Sequence, residues 1–300
     1  MKQQDADAKR ILADLAEEVK RGECILFFGA GVHASPGKGS GFEYPATKQP
    51  LLGWQLTEEM AKTCQFQQKF PNEPLDLQRV SLCYETDKAL GRARLVTFLR
   101  KQVQDGKEPS PALQMLAALP FKIIITTNYD RLFERALAQN GKDPHVFVYD
   151  PDPPGQEPTP DLPHDPTDER PMLFKMHGDL DKRDSIVITD EDYINFVQRM
   201  SEKDIVHPVP QTIRFRMQRW PTLFVGYSLR DYNLRLLFRT LRWKVDTANF
   251  PKSFSVDRQP DPLILKVWQD ERQFITFLTE DLWTFVPALH RAVLETEAAQ

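Results

Sequence analysis

Asn128 and Asp130 stand two residues apart in Thr126-Thr127-Asn128-Tyr129-Asp130, and His177 lies in Lys175-Met176-His177-Gly178-Asp179. Each block directly follows an apolar run. A strand buried on both faces does not ordinarily end in so many polar groups. An amide and a carboxylate at that place can hold sugar hydroxyls or a water, and an imidazole can take a proton from either. The same residues also suit plainer roles, with Asn128 or Asp130 as a helix cap and His177 as a satisfied structural histidine.

Two glycine blocks accompany them. Gly29-Ala30-Gly31-Val32-His33-Ala34 fits G-x-G-x-x-A, and Ser35 follows. Glycine there permits a tight turn and lets backbone N–H groups approach a pyrophosphate, although an ordinary strand-to-loop turn reads the same way. The acid that usually takes the ribose about 20 residues further on is missing. Nothing acidic lies between Glu43 and Glu58, which disfavours a plain dehydrogenase. The second block is Phe224-Val225-Gly226-Tyr227-Ser228, where Gly226 and Ser228 at a strand-to-helix junction suit a phosphate or a ribose hydroxyl.

These blocks need a scaffold that brings four strand ends together. The continuous apolar run 24–28 reads as a strand buried on both faces, and 121–125, 172–176 and 222–226 read as further strands. Shorter strands are expected at 145–149, 253–256 and 263–267. Helices are expected over 5–21, through most of 54–105, from Ser110-Pro111 to 119, over 130–139, from Thr189 to Met200, over 229–243, from Glu271 and from Leu282. Strands alternating with helices imply an α/β fold, a Rossmann-like doubly wound parallel sheet with helical insertions. In such sheets ligands sit at the carboxyl ends of the strands, so the four blocks nominate one site. The expected organisation is an N-terminal helix over 1–22, a nucleotide-binding domain over 23–245 and a strand/helix extension over 246–300. The proline-rich stretch 150–171 reads as a surface insertion.

Composition narrows the class. The chain has 300 residues, 41% of them hydrophobic, enough to build a full core. No apolar run reaches the roughly 20 residues needed to cross a bilayer, and the polar N-terminus does not read as a secretory signal. A cytoplasmic protein with no membrane role is expected. The net charge of −4 argues against a nucleic-acid-coating protein, so direct nucleic-acid binding is not expected. Cys24, Cys64 and Cys83 form no C-x-x-C pair, so no zinc ribbon is expected. They read as buried thiols of a reducing compartment.

As a set in this order, the four blocks resemble the SIR2 (sirtuin) superfamily over residues 20–245. Thr-Thr-Asn-Tyr-Asp, Lys-x-His-Gly-Asp and Val-Gly-Tyr-Ser look like its bacterial SIR2-like antiphage-defence branch rather than its histone-deacylase branch. Deacylase sirtuins carry a zinc ribbon that helps build an acyl-lysine channel. Their first loop also runs into Gly-Ile-Pro-Asp-Phe-Arg, where this chain has Gly41-Phe42-Glu43-Tyr44-Pro45 within a longer loop. The nicotinamide-pocket residues between 36 and 54 are therefore left unassigned.

The resemblance implies an NAD+ hydrolase that cleaves the nicotinamide–ribose bond, with NAD+ as substrate and no metal. Asn128 would hold the ribose hydroxyls or a water, His177 would act as base, and Asp130 would orient Asn128 or add negative potential near C1′. Gly29, Ala30, Gly31, Val32, Ser35, Thr127, Gly226 and Ser228 would bind the dinucleotide. Two readings compete: a protein deacylase or ADP-ribosyltransferase, which the missing zinc cysteines disfavour, and a non-catalytic nucleotide-sensing or scaffold module, which the intact Asn128 and His177 disfavour. An NAD-depleting enzyme needs control, so a homo-oligomer is expected. The resemblance also suggests a separately encoded partner, such as a hexameric motor ATPase (HerA-type).

Overall fold

A computed structural model describes residues 2–151, 165–201, 207–230, 234–238, 251–268 and 275–294. Seven strands form one sheet: β1 Ile25–Phe28, β2 Ile123–Thr126, β3 His145–Val148, β4 Met172–Lys175, β5 Thr222–Val225, β6 Ser253–Val256 and β7 Ile275–Leu278. Their order is β3-β4-β2-β1-β5-β6-β7, and every neighbouring pair is parallel. The chain fills one side of β1 with β2, β3 and β4, then crosses to fill the other with β5, β6 and β7. The switch therefore falls between β1 and β5, where the carboxyl ends of the strands open a crevice.

Alternation along the central strands feeds two cores. Leu26 and Phe28 of β1, Ile124 of β2 and Leu223 and Val225 of β5 face one side. That side is covered by α1 (Lys2–Lys20), α6 (Pro111–Ala118), α7 (Leu132–Gln139) and α11 (Leu282–Leu294). Ile25, Phe27, Ile123, Ile125 and Phe224 face the other side, under α8 (Asp190–Ser201), α9 (Gln211–Met217) and α10 (Pro262–Trp268). With helices on both faces, the sheet is doubly wound as expected. A third core belongs to the helical insertion between β1 and β2, made of α2 (Gly53–Cys64), α3 (Phe66–Lys69), α4 (Leu77–Thr86) and α5 (Gly91–Val103). This insertion also buries Leu180, Ile186 and Ile188 from the segment after β4, so it leans over the carboxyl edge of the sheet.

Local signals place the helix starts. Ser110 accepts the Leu113 N–H at 3.1 Å with Pro111 in the first turn, as the sequence predicts. Thr189 and Asp192 cap each other reciprocally, opening α8.

Two expectations near the C-terminus are corrected. The run 263–267 is helical. Asp261 Oδ1 accepts the N–H groups of Leu263 and Ile264, Pro262 sits in the first turn, and only the i, i+4 pair Ile264 and Trp268 is buried. The cap outweighs the strand propensity of the run. The segment read as a helix from Glu271 instead contains β7, and its residues 271–274 lie outside the described set. β6 offers β7 an open parallel partner, and the next helix waits for Asp281, which caps α11 through Trp283 N–H. Residues 152–164 of the proline-rich stretch and most of the helix expected over 229–243 also lie outside the described residues.

The two glycine blocks meet backbone to backbone at the switch point. Gly31 N–H donates to Gly226 O at 2.9 Å. A Cβ on Gly226, whose φ is +62°, would lie 2.2 Å from Val32 N. Gly226→Ala should therefore cost at least about 2 kcal/mol, from strain plus displaced backbone. Gly141 shares the positive φ but has nothing within 4 Å of an added Cβ. Gly141→Ala should cost only about 1 kcal/mol. Urea unfolding of the two variants checks the contrast, and equal losses would show that the close approach carries no weight.

Candidate active site

Lys175 closes β4 with its ammonium fully buried. It donates to Asp179 Oδ2 (2.6 Å), Asp130 O (2.6 Å), Tyr129 O (3.2 Å) and Glu134 Oε1 (3.3 Å). One cation thus ties the loop after β2 to the loop after β4. Asp179 is also held by the Asp181 N–H at 2.7 Å and by Arg131 at 3.5 Å. Burial alone would raise the Asp179 carboxyl. Lys175, the Asp181 N–H and Arg131 outweigh it and hold the group below the usual carboxylate range. For Asp130 and Glu134 burial prevails over the same lysine, and both carboxyls are raised.

The blocks pinned in this way present the predicted side chains. Thr126 Oγ1 donates to Phe28 O and accepts the Asn128 N–H at 3.0 Å, turning the chain so that Asn128 faces the crevice. Asn128 is buried, and its Nδ2 has no hydrogen-bond partner among the described residues. Asp130 Oδ1 accepts the Leu132 N–H at 2.9 Å in the turn before α7, while the N-cap position itself is held by Arg131, so neither Asn128 nor Asp130 is the cap residue. His177 is 3% exposed and packs edge-on against Tyr193 and Phe196. The glycine beside it is required: Gly178 has φ +91°, and an added Cβ would lie 2.2 Å from Ser185 O.

Two clefts flank the turn Ala30–His33. The first has a volume of about 140 Å³, and its polar wall holds Thr127, Asn128, Asp130, His177, Tyr193 and His33. Its apolar wall comes from Ala30 and from the region left unassigned in the sequence, namely Pro50, Leu51 and Gly53, together with Leu56, Leu77 and Val103 of the helical insertion. Sequence reading misses this wall because the insertion supplies it through tertiary packing. It misses His33 because that residue fills a variable position of the glycine block. The only sequence signal for it is an imidazole where the motif tolerates any residue.

The second cleft, about 440 Å³, takes in Gly31, Ser35, Gly226, Ser228, Asp257, Arg258, Glu280, Asp281 and Trp283. The predicted dinucleotide contacts therefore divide. Ala30 and Thr127 line the first cleft, and Gly31, Ser35, Gly226 and Ser228 line the second. Gly29 and Val32 line neither. Gly29 N–H donates to Val225 O, and Val32 is fully buried in the core while its carbonyl accepts from Ser110 Oγ. The glycine pattern is thus accounted for by loop-to-loop packing.

The SIR2-like domain family matches residues 122–277, from the start of β2 into β7. The chain belongs to this family. It is similar to the NAD(+) hydrolase ThsA of Enterococcus faecium, with 26% identity over 238 residues, 79% of this chain and 44% of that protein. It is also similar to defense-associated sirtuin 2 of Bacillus subtilis, with 25% identity over 264 residues, 86% of this chain and 23% of that protein. The chain spans less than half the length of these relatives. Among the described residues of this SIR2-like chain, no group of three or more His, Cys, Asp or Glu side chains is placed to hold a metal ion. No described helix is long and apolar enough to cross a membrane.

The electrostatics of the site can be tested in two ways. Lys175→Met leaves buried Asp179 and partly buried Glu134 without the ammonium they share and should cost about 3–5 kcal/mol, read as a lowered denaturation midpoint. An unchanged midpoint would show that the ammonium is not the tie between the loops. Burial also lowers His33 to about 3 and His207 to about 4. In the unfolded chain both titrate near 6.5, so below that pH the unfolded state binds more protons and stability falls. Between pH 7 and pH 5 the His33 contribution is about 2 kcal/mol. Thermal melts should drop over that window, and His33→Asn should flatten part of the drop.

Proposed function

We propose that this chain is an NAD+ hydrolase, releasing nicotinamide and ADP-ribose as the NAD-depleting effector of a bacterial defence system. The observation that carries the reading is the first cleft. There Asn128, whose Nδ2 has no hydrogen-bond partner among the described residues, and His177 share one cleft with the apolar residues Ala30, Pro50, Leu51, Leu56, Leu77 and Val103. The second cleft, across the Ala30–His33 turn, gives the ADP half a place along the same sheet edge, as expected at a switch point. The names of the relatives support both the activity and the defence setting.

The chemistry asks little of the protein. The bond to be broken joins ribose C1′ to a positively charged pyridinium, which leaves as neutral nicotinamide without needing a proton. The ribose passes through an oxocarbenium-like state, as in glycoside hydrolysis. Asn128 Nδ2 donates to a ribose hydroxyl or to the attacking water, and His177 removes the proton that the water loses. The apolar wall keeps bulk water from the ring. Water supplies the hydroxyl of ADP-ribose and one released proton, so no electron carrier is consumed. Control by self-assembly or by a separate partner belongs to the same proposal, because unregulated NAD loss would kill the host.

Purified protein, alone and with cell lysate, should release nicotinamide and ADP-ribose from NAD+. Asn128→Ala and His177→Ala should each slow release at least about a hundredfold while the melting temperature stays near that of the parent chain. Full rates in either variant would overturn the assignment. Release should persist in EDTA, because a pyridinium leaving group needs no Lewis acid. Loss on chelation, restored by added metal, would show that the chemistry uses an ion.

A further inference from the structure

His33 belongs to no role described so far, yet it is 2% exposed, lines the first cleft and carries a buried Nε2 with no hydrogen-bond partner among the described residues. Its other nitrogen fixes the tautomer. His33 Nδ1 lies 3.2 Å from the Tyr44 hydroxyl. That hydroxyl has one proton and faces two carbonyls, Glu108 O at 2.8 Å and Lys48 O at 3.4 Å. Burial, with smaller contributions from Asp130 and Glu108, pushes the Tyr44 hydroxyl well above its ordinary range, so it keeps its proton and gives it to a carbonyl. Only the oxygen lone pairs remain for His33, and Nδ1 must therefore be the donor. Nε2 is left as a lone pair. The ring stays neutral because burial makes protonation costly.

A buried acceptor without a partner is costly, and such groups in native clefts commonly await a ligand. We infer that His33 Nε2 is a substrate-recognition acceptor that takes a hydrogen bond from an N–H or O–H of the bound dinucleotide at its nicotinamide end. The inference rests on the reading of the first cleft given above. Two groups on that half have the required chemistry, the carboxamide N–H of nicotinamide and a hydroxyl of its ribose. Asn128 Nδ2 supplies the complementary donor in the same cleft, so the wall offers both halves of a hydrogen-bond pair.

The two nitrogens of His33 can be tested separately. His33→Asn keeps a donor near Nδ1 for Tyr44 and removes the Nε2 acceptor. His33→Gln places an amide oxygen near Nε2 and gives up the Tyr44 bond. Calorimetry would use two probes that the protein cannot cleave: carbocyclic NAD+, which keeps the carboxamide, and ADP-ribose, which lacks it.

His33→Asn should weaken carbocyclic NAD+ about tenfold with the melting temperature at pH 7 kept. His33→Gln should bind within about threefold of the parent chain while melting lower. A purely structural histidine would not separate binding from stability in this way. If His33→Asn weakens carbocyclic NAD+ alone, the donor is the carboxamide; if it weakens ADP-ribose equally, the donor is a ribose hydroxyl. Unchanged binding of both probes by a folded His33→Asn protein overturns the inference and leaves the hydrolase reading standing. Failure of the parent chain to bind either probe overturns both.

Discussion

The Lys175 ammonium is the constraint on which the site depends. It is fully buried, and it holds two backbone carbonyls of one loop and a carboxylate of the next. Arg131 and the Leu180 N–H, which donates to Tyr129 O, also join the loops after β2 and β4, but Lys175 is the fully buried charge that joins them. Burying a cation costs several kcal/mol before its partners offset that cost, so an ion pair of this kind is poor evidence for stability. What the lysine contributes here is register between two strand ends, at the place where chemistry needs two side chains from different loops.

The carboxyl edge divides its work between two unlike surfaces. The first cleft is small, roofed by the helical insertion and poor in charge apart from its carboxylate. The second is wider and carries three carboxylates against one arginine, Arg258. A ring and a sugar suit the first. Sugar hydroxyls and the exocyclic amine of a purine suit the second better than a bare phosphate would. Between them the Ala30–His33 turn acts as a divider, and the extended shape of a dinucleotide matches a path across it.

The sheet is legible in the sequence because buried parallel strands are continuous apolar runs. The run 24–28 is wholly apolar, the stretches 121–125, 172–176 and 222–226 are mostly so, and all four are too short to be buried helices and lead into glycine or polar residues. The C-terminal elements are harder. Leu263 to Trp268 is as apolar as a strand, and the deciding signal, the Asp261-Pro262 start, lies just before the run. Asn128 and His177 are legible as polar endings to apolar strands. The role of Lys175 is not, because lysine in a strand reads as a surface residue until its partners are known. The pattern at Gly31 and Gly226 is a true signal with a cause that lies beyond the sequence. The residues press against each other across the switch point, and that contact exists only in three dimensions.

That contact also bears on the order in which the molecule can be built. β1, β2 and β4 are neighbours, and the first cleft is complete once these strands, the helical insertion between β1 and β2, and Tyr193 of α8 are in place. The Gly31–Gly226 junction, by contrast, joins segments far apart in the chain, and non-local contacts of this kind form slowly because loop closure must precede them. The Gly226 carbonyl that holds the Ala30–His33 turn is therefore missing until β5 has left the ribosome and docked beside β1. A nascent chain that has not reached Gly226 holds every residue that lines the first cleft but lacks Gly226, Ser228, Asp257, Glu280 and Asp281 of the second.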